Sequence, residues 1–472
     1  MTVLKPGETC WRIATAERAA LLVDNQAYYA ALYSALHAAE HSILILGWAF
    51  DPRTRLVPDG SEGPNDPDEV GRILIELCRA KPELQVRILV WKSPLGVMGH
   101  QDIRGHRAKR LFAKTPVAFR EARDVPFGAC HHQKMVVIDD RLAFCGGGDI
   151  VTNRWDTQAH LDIDPRRILP DQSHHPARHE VTMLVDGSAA RTLGDLFRER
   201  WRNATEETMS DARPTARNSW PPCATAQLSD VRVGIARTQP GWGGRPFVGE
   251  IRQLTLTCIA EAHETIYLEN QYFTCQAVAD ALAMRLGEPA GPEVILVVSG
   301  RAPSWFDHLT MDYARNPLVR RLRAADMFGR FRALSPQTSI GAVIIVHSKV
   351  AVFDNRIVRV GSANLNNRSE GFDTECDLVI EVETETGRRA ISEFRDKLLG
   401  HYLDVDPIRF AEVRIARGGV VAAIDALNVN GRLAPVAVGQ RTWWEGFVSD
   451  RNLGDPSSVE ESWSLRALKD LG

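Results

Sequence analysis

Apolar positions along the chain fall into two rhythms that alternate with each other. Between 25 and 41 they return at helical spacing, with Tyr28, Leu32, Leu36 and Ala39 on one face, and predict a helix. The run Ile43-Leu44-Ile45-Leu46 follows, short and unbroken, and ends at Gly47-Trp48; it reads as a strand buried on both faces. A loop rich in Pro, Gly and Asp covers 51–68. Then come a helical pattern at 69–80, a strand at Val86–Val90, a basic helix at 103–113 and a short strand at Val117–Phe119. An apolar strand at 132–138 pairs with another at 142–145, and the stretch closes with strand 180–185 and helix 188–201.

The second part of the chain repeats this order. A helix at 248–262 precedes strand 266–273, and Val294–Val298 corresponds to Val86–Val90. Strand 344–353 corresponds to 132–138 and Ile357–Val360 to 142–145; strand 375–382 and helix 386–402 close the repeat. A duplication of this period predicts an α/β protein of two βα halves, each with a mostly apolar sheet. Residues 204–229 are rich in Thr, Ser, Ala and Pro and lack periodicity, so they read as a linker. The expected layout is a first half at 1–203, the linker at 204–229, a second half at 230–402 and an extension at 403–472 packed on the second half.

Composition adds exclusions. The 472 residues are 44% hydrophobic and 25% charged, ordinary for a globular protein of two or three domains. A net charge of −3 offers no broad basic surface for nucleic acid. The eight cysteines are scattered without C-x-x-C pairs, which fits reduced thiols in the cytosol and neither a zinc ribbon nor a disulfide framework. The N-terminus has no apolar stretch of signal-peptide length, and no run approaches the roughly 18 apolar residues of a membrane span. The expected location is therefore cytoplasmic, with any lipid contact peripheral.

The candidate chemistry sits in the repeated strands. His132, Lys134 and Asp139 recur as His347, Lys349 and Asp354, 215 residues further on, and each set runs into a turn: Gly146-Gly147-Gly148 in one, Gly361-Ser362 in the other. On an extended chain, residues two apart point the same way, so each H-x-K delivers an imidazole and an ammonium side by side. The aspartates lie seven residues from their histidines, an odd step, and are read as structural turn or strand-end residues. This pair of H-x-K-x4-D strings resembles the active-site motifs of the phospholipase D superfamily. Ile266–Phe273 (IYLENQYF), Arg154-Trp155-Asp156 and Val346–Arg368 are similar to segments of its eukaryotic-type branch, and the resemblance runs over about 25–400. Too little chain precedes the first repeat for that branch's N-terminal lipid-binding domains.

The resemblance implies the phospholipase D fold, an α/β protein of two pseudo-symmetric α/β/α halves with the active site at their interface, and a two-step reaction at phosphorus with no cofactor and no metal in the site. One histidine, assigned to His132 on the resemblance alone, forms a phosphohistidine; His347 serves as acid and base. Lys134, Lys349 and Asn364 hold the non-bridging oxygens. Glu375, 28 residues after His347, is expected to orient that histidine, and Glu180 to serve the first half. Ser362, Gly147, Arg154 and Gln271 are expected at the substrate. Asp149, at the position of Asn364, is left out because a carboxylate repels phosphate. The implied function is hydrolysis of phosphatidylcholine-like phospholipids to phosphatidic acid at a membrane or micelle surface, with transfer to small alcohols in place of water. The chain is expected to act as a monomer and without nucleic acid.

Rival readings are a cardiolipin-synthase-like phosphatidyltransferase, a nuclease on the same scaffold, and a catalytically dead binding protein, against which two complete motifs argue. His131, His132, His174, His175 and His179 carry no recognised zinc spacing. The glycine run does not open a helix in a βαβ context, so it is a tight turn and not a nucleotide loop. The basic stretch 103–123 reads as a solvated face. Trp242, Trp305-Phe306 and Trp443-Trp444 are read as packing residues or as contacts with a lipid interface.

Overall fold

The computed structural model describes residues 2–58, 68–93, 99–211, 220–300, 308–438 and 454–459. The first half holds β1 (Arg12–Val23), β2 (Ser42–Gly47), β3 (Gln85–Trp91), β4 (Ala118–Ala122), β5 (Met135–Ile138), β6 (Leu142–Gly146), β7 (Arg178–His179) and β8 (Val181–Asp186). The second holds β9 (Leu228–Gln239), β10 (Val248–Gly249), β11 (Thr265–Asn270), β12 (Glu293–Val298), β13 (Phe331–Pro336), β14 (Ile345–Val346), β15 (Val350–Phe353), β16 (Ile357–Gly361) and β17 (Glu375–Glu381), followed by β18 (Leu433–Pro435).

All of these strands except β7 and β14, which pair with each other, build one continuous sheet in the order β18-β13-β12-β11-β15-β16-β17-β9-β1-β8-β6-β5-β2-β3-β4, with β10 paired to β9. Read outward from the centre, the two sides carry the same sequence of strands. β1 and β9 lie antiparallel on the axis, β8 matches β17, β6 matches β16, β5 matches β15, and β2-β3-β4 match β11-β12-β13. The duplication is therefore a duplication of half-sheets fused edge to edge. The central strands β1 and β9 escaped the pattern reading. In β1 alanines and charged residues blur the alternation, and the start of β9 at Leu228 falls within the stretch read as a linker. Helix Gly187–Thr205 runs up to that stretch, and 212–219 lie outside the described residues.

Strands such as β2 and β12 read as apolar because both faces are covered. In β2, Leu44 and Leu46 join one core cluster while Ile43 and Ile45 join another on the opposite face. On one face, helices Asp24–Ala38 and Val70–Ala80 cover the first half-sheet, and helices Glu250–Glu261, Gln276–Gly287 and Tyr313–Ala325 cover the second. On the other face a single core spans both halves, closed by helices Gly187–Thr205, Glu385–Leu403, Pro407–Arg417 and Val420–Leu427. The last two helices and β18, which pairs with β13, belong to the stretch expected as an extension. Residues 439–453, with the Trp443-Trp444 pair, and 301–307, with Trp305-Phe306, lie outside the described residues.

Both motif aspartates sit at hairpin turns. Asp139-Asp140 and Asp354-Asn355 all have positive φ (51 to 53°), and Arg141 and Arg356 donate backbone N–H to Ile138 and Phe353 at 3.0 and 2.9 Å. Two consecutive left-handed residues are the requirement of the tight primed hairpin turn, which Asp and Asn tolerate. The carboxylates point away from the turn. Asp139 accepts from the N–H groups of Glu40, His41 and Ser42, and Asp354 from those of His263, Glu264 and Thr265, at 2.6 to 2.9 Å. Each aspartate thus ties its hairpin to the start of the neighbouring strand.

Candidate active site

The motif histidines and lysines lie just ahead of the regular strands. β5 begins at Met135 and β15 at Val350, so the strands expected at 132–138 and 344–353 are shorter than the pattern suggests. The His-x-Lys segments leave the sheet because each pairs with the opposite half. His132 donates its N–H to Thr374 O (2.9 Å), and Thr374 donates to Cys130 O (3.0 Å). In the mirror arrangement β14 runs parallel to β7, and His347 donates its N–H to His179 O at 2.9 Å.

This exchange decides the carboxylate partners. Thr374 precedes Glu375, and His179 precedes Glu180. Accordingly His132 Nδ1 lies 2.9 and 3.0 Å from the Glu375 oxygens, and His347 Nδ1 lies 2.7 Å from Glu180 Oε2. The expectation that Glu375 orients His347 is corrected: each glutamate serves the histidine of the other half. Separation along the chain suggested a partner within the half, but strand exchange sets the contact.

The lysines fold back beside their histidines. Lys134 Nζ donates to His132 O (2.8 Å) and Lys349 Nζ to His347 O (2.7 Å), the two-residue reach that alternation predicts. Lys349 also reaches Gln271 Oε1 at 3.4 Å. Asn364 is buried, and neither its Oδ1 nor Glu180 Oε1 has a hydrogen-bond partner within the protein. Asp149 is turned to the backbone: Oδ1 accepts from the N–H of Trp48 and Ala49, and Oδ2 lies 3.5 Å from Lys134 Nζ.

Two residues expected at the substrate do other work. Ser362 Oγ donates to Glu375 Oε2 at 2.5 Å, so it holds the carboxylate and is not free for substrate. Gly147 is a packing position: a Cβ there would come 2.5 Å from Glu180 Oε1, 2.8 Å from His347 O and 2.8 Å from Lys349 Cδ. Ser369 completes the Glu375 cradle, its Oγ donating to Oε1 at 2.6 Å, and was missed because nothing in the sequence marks it. Its turn, Asn367–Gly371, is held by Asp455, which accepts from the N–H of Asn367 and Arg368. The halves differ here: the first-half counterpart of Ser362 is Gly147, so no hydroxyl from that position supports Glu180.

Arg154 and Arg178 add positive charge on the first-half side. The Arg154 guanidinium donates to the side chain of its neighbour Asn153, and Arg178 shares a face with Glu180, two residues on. Burial, with Arg154 nearby, brings Arg178 down to about 9. Burial dominates the other groups as well. It pushes Glu375 up to about 8 and Glu180 up to about 7, against the pull of Lys134 and Lys349 respectively. It pulls Lys349 down to about 7 and both histidines well below their usual value, with the lysines adding to the effect. A dry slot disfavours every charge until a substrate anion enters and restores the lysine charge. An imidazole that gives Nδ1–H to a carboxylate keeps its Nε2 lone pair for attack, and the facing histidine can carry a proton.

The histidines weighed together in the sequence do not converge. His131 contacts Asp124 and Thr374, His132 contacts Glu375, His174 is exposed and His175 bonds Pro176 O. Only His179 joins a cluster, and its companions are different residues.

A fused, two-fold duplicated α/β sheet with paired H-x-K sites at the joint defines a class, and the chain belongs to the phospholipase D superfamily, near its eukaryotic-type members. The family model described as "Phospholipase D" matches residues 35–233, and that described as "Cardiolipin synthase, PLD-like domain" matches 255–398. Among curated relatives, phospholipase D1 of Schizosaccharomyces pombe is 24% identical over 74% of this chain and 32% of its own length. Phospholipase D1 of Saccharomyces cerevisiae is 23% identical over 93% of this chain and 32% of its own. Phospholipase D2 of Bos taurus is 23% identical over 78% and 51%. The chain thus spans about a third to a half of these relatives. The crystal structure of phosphatidylserine synthase from Haemophilus influenzae Rd KW20 shares the fold, with a TM-score of 0.54 and 12% identity over 88% of this chain and 97% of that one.

Proposed function

We propose that this chain cleaves the distal phosphodiester of glycerophospholipids through a phosphohistidine. The crossed pairs His132–Glu375 and His347–Glu180, each with a motif lysine beside its histidine, carry this reading. His132 Nε2 attacks phosphorus, the bond to the headgroup oxygen breaks, and His347 gives that oxygen its proton. His347 then takes a proton from water as the water oxygen attacks; the P–N bond breaks and phosphatidic acid leaves. A primary alcohol in place of water yields the phosphatidyl alcohol. Two hydroxyls hold Glu375 in register and none from the matching position holds Glu180, which supports His132 as the nucleophile.

Phosphatidylcholine-like lipids at a membrane or micelle surface are the proposed substrates. No helix among the described residues is long and apolar enough to cross a membrane; the exposed Phe127, Trp242 and Phe247 support peripheral contact with a lipid surface. The test is product analysis by mass spectrometry on mixed phospholipid vesicles with ethanol present, beside a single-stranded DNA arm. The expected products are phosphatidic acid and phosphatidylethanol. Intact lipid with degraded DNA would overturn the reading. Phosphatidyl transfer as the main activity, suggested by the synthase-type family model, would show as transfer product with little phosphatidic acid. Acid quenching and peptide mapping should place the phosphoryl group on His132; finding it on His347 reverses the assignment.

A further inference from the structure

Beneath the active-site strands, on the face of β7 opposite Glu180, four side chains from both halves converge. Asp24 opens the first helix, His160 lies in the loop before β7, His179 is in β7 itself, and His401 lies in helix Glu385–Leu403 of the second half. One ligand-type atom from each falls within 4.8 Å of all the others. His179 Nδ1 is 3.0 Å from Asp24 Oδ1 without hydrogen-bond geometry, and His160 Nε2 and His401 Nδ1 are each 3.8 Å from Asp24 Oδ2. All four side chains are 3% exposed or less.

The inner atoms lack partners. Asp24 Oδ2, His160 Nε2, His179 Nδ1 and both ring nitrogens of His401 are buried with no hydrogen bond. Four unsatisfied polar atoms around one point, one from each residue, are costly unless something binds there. The outward atoms of His160 and His179, by contrast, are satisfied in the manner of metal ligands. His160 Nδ1 lies 2.8 Å from Asp156 Oδ2, and His179 Nε2 lies 3.1 Å from Glu269 Oε2. A carboxylate behind the imidazole fixes the tautomer that presents the other nitrogen to an ion. Asp24 Oδ1 accepts from Glu180 N–H, leaving Oδ2 to face inward.

We propose that Asp24, His160, His179 and His401 bind one zinc ion in a closed, four-ligand structural site. Three imidazoles and one carboxylate suit zinc in tetrahedral geometry, whereas calcium and magnesium require mainly oxygen. A dication also offsets the Asp24 and Glu269 carboxylates. With all four positions filled by protein, the ion holds no water and takes no part in the chemistry. Its effect is positional. It pins β7 to the helix carrying His401; β7 accepts the His347 N–H and leads directly into Glu180. Glu269 in turn accepts from Ser348 Oγ at 2.8 Å, between His347 and Lys349.

The test starts from the whole chain, purified from zinc-supplemented medium without chelator. Elemental analysis should find about one zinc per chain. Chelator-stripped protein should regain several degrees in melting temperature when Zn²⁺ alone is returned, as binding to the native state requires. Co²⁺ in its place should give the intense visible bands of a tetrahedral site. His401→Gln should lose zinc while His174→Gln keeps it. Wild-type protein that holds no zinc after loading and gel filtration, and whose melting temperature ignores Zn²⁺, overturns the proposal. So does a His401→Gln protein that retains its full complement. The wild-type measurements stand even if the variant fails to fold.

Discussion

At the scale of the residue, each motif separates into chemistry and scaffold. His132 and Lys134 face the slot, whereas Asp139 closes a hairpin; the second motif repeats this with Asp354. Glu375→Gln should therefore cut turnover by about a thousandfold with folding intact, because the orienting acceptor for His132 is lost. Asp354→Asn should do the reverse, lowering stability by about 1–3 kcal/mol with near-normal turnover in the cold, since three backbone donors lose a charged acceptor. Thermal melting and initial rates on short-chain phospholipid compare them; a stable, dead Asp354 variant beside a fully active Glu375 variant would reverse these roles. Lys349 sets the alkaline limb of the pH response, while Glu180 and Glu375, pushed up to about 7 and about 8, ionise over the same range and set the acid limb. The folded Lys349 value of about 7 means the free enzyme holds this charge below about 7 and loses it as pH rises. kcat/KM should fall on the alkaline side from there, while kcat, measured with the phosphate anion bound, should keep its rate to higher pH. A flat kcat/KM from about pH 6 to about pH 9 would remove Lys349 from substrate binding.

At the scale of the element, the decisive feature is the exchange of short segments across the joint. β7 with β14, and Cys130–His132 with Thr374, are pairings of a few residues, yet they assign each glutamate to its histidine. The exchange needs close approach, which Gly147 permits. Gly147→Ala would place a methyl group against Glu180 and the His347 carbonyl. It should cost about 1–3 kcal/mol of stability. It should also lower kcat by about a hundredfold through displacement of the His347–Glu180 pair. Chemical denaturation and steady-state kinetics on the purified variant check both; wild-type kcat would show that the segment yields without disturbing the pair.

At the scale of the whole molecule, the two halves share one sheet and one of their cores. β9 bonds β17 on one side and β1 on the other, and the common core joins Val137 of the first half to Val352 of the second. Cooperativity should follow this continuity, so calorimetry should show a single unfolding transition whose calorimetric and van't Hoff enthalpies agree. Two resolved transitions would mean that the halves unfold separately despite the shared strands.

The sequence alone was enough for the duplicated order of strands and helices, the two His-Lys pairs, and the turn role of the aspartates. These depend on periodicity and on alternation along a strand, which are local properties. It also marked Asn364, Glu180 and Glu375 as site residues, because the repeat and the family motifs point to them. It did not show β1 and β9 at the axis, since alanine and charge interrupt their alternation and their neighbours are far away in the chain. Nor did it show that the glutamates cross over, that Ser362 and Ser369 cradle Glu375, or that Asp24, His160, His179 and His401 meet. Those four lie in segments more than 370 residues apart at the extremes, and no spacing rule relates them. Their meeting is decided by how two half-sheets join about the central strands, and that is a property of the tertiary structure.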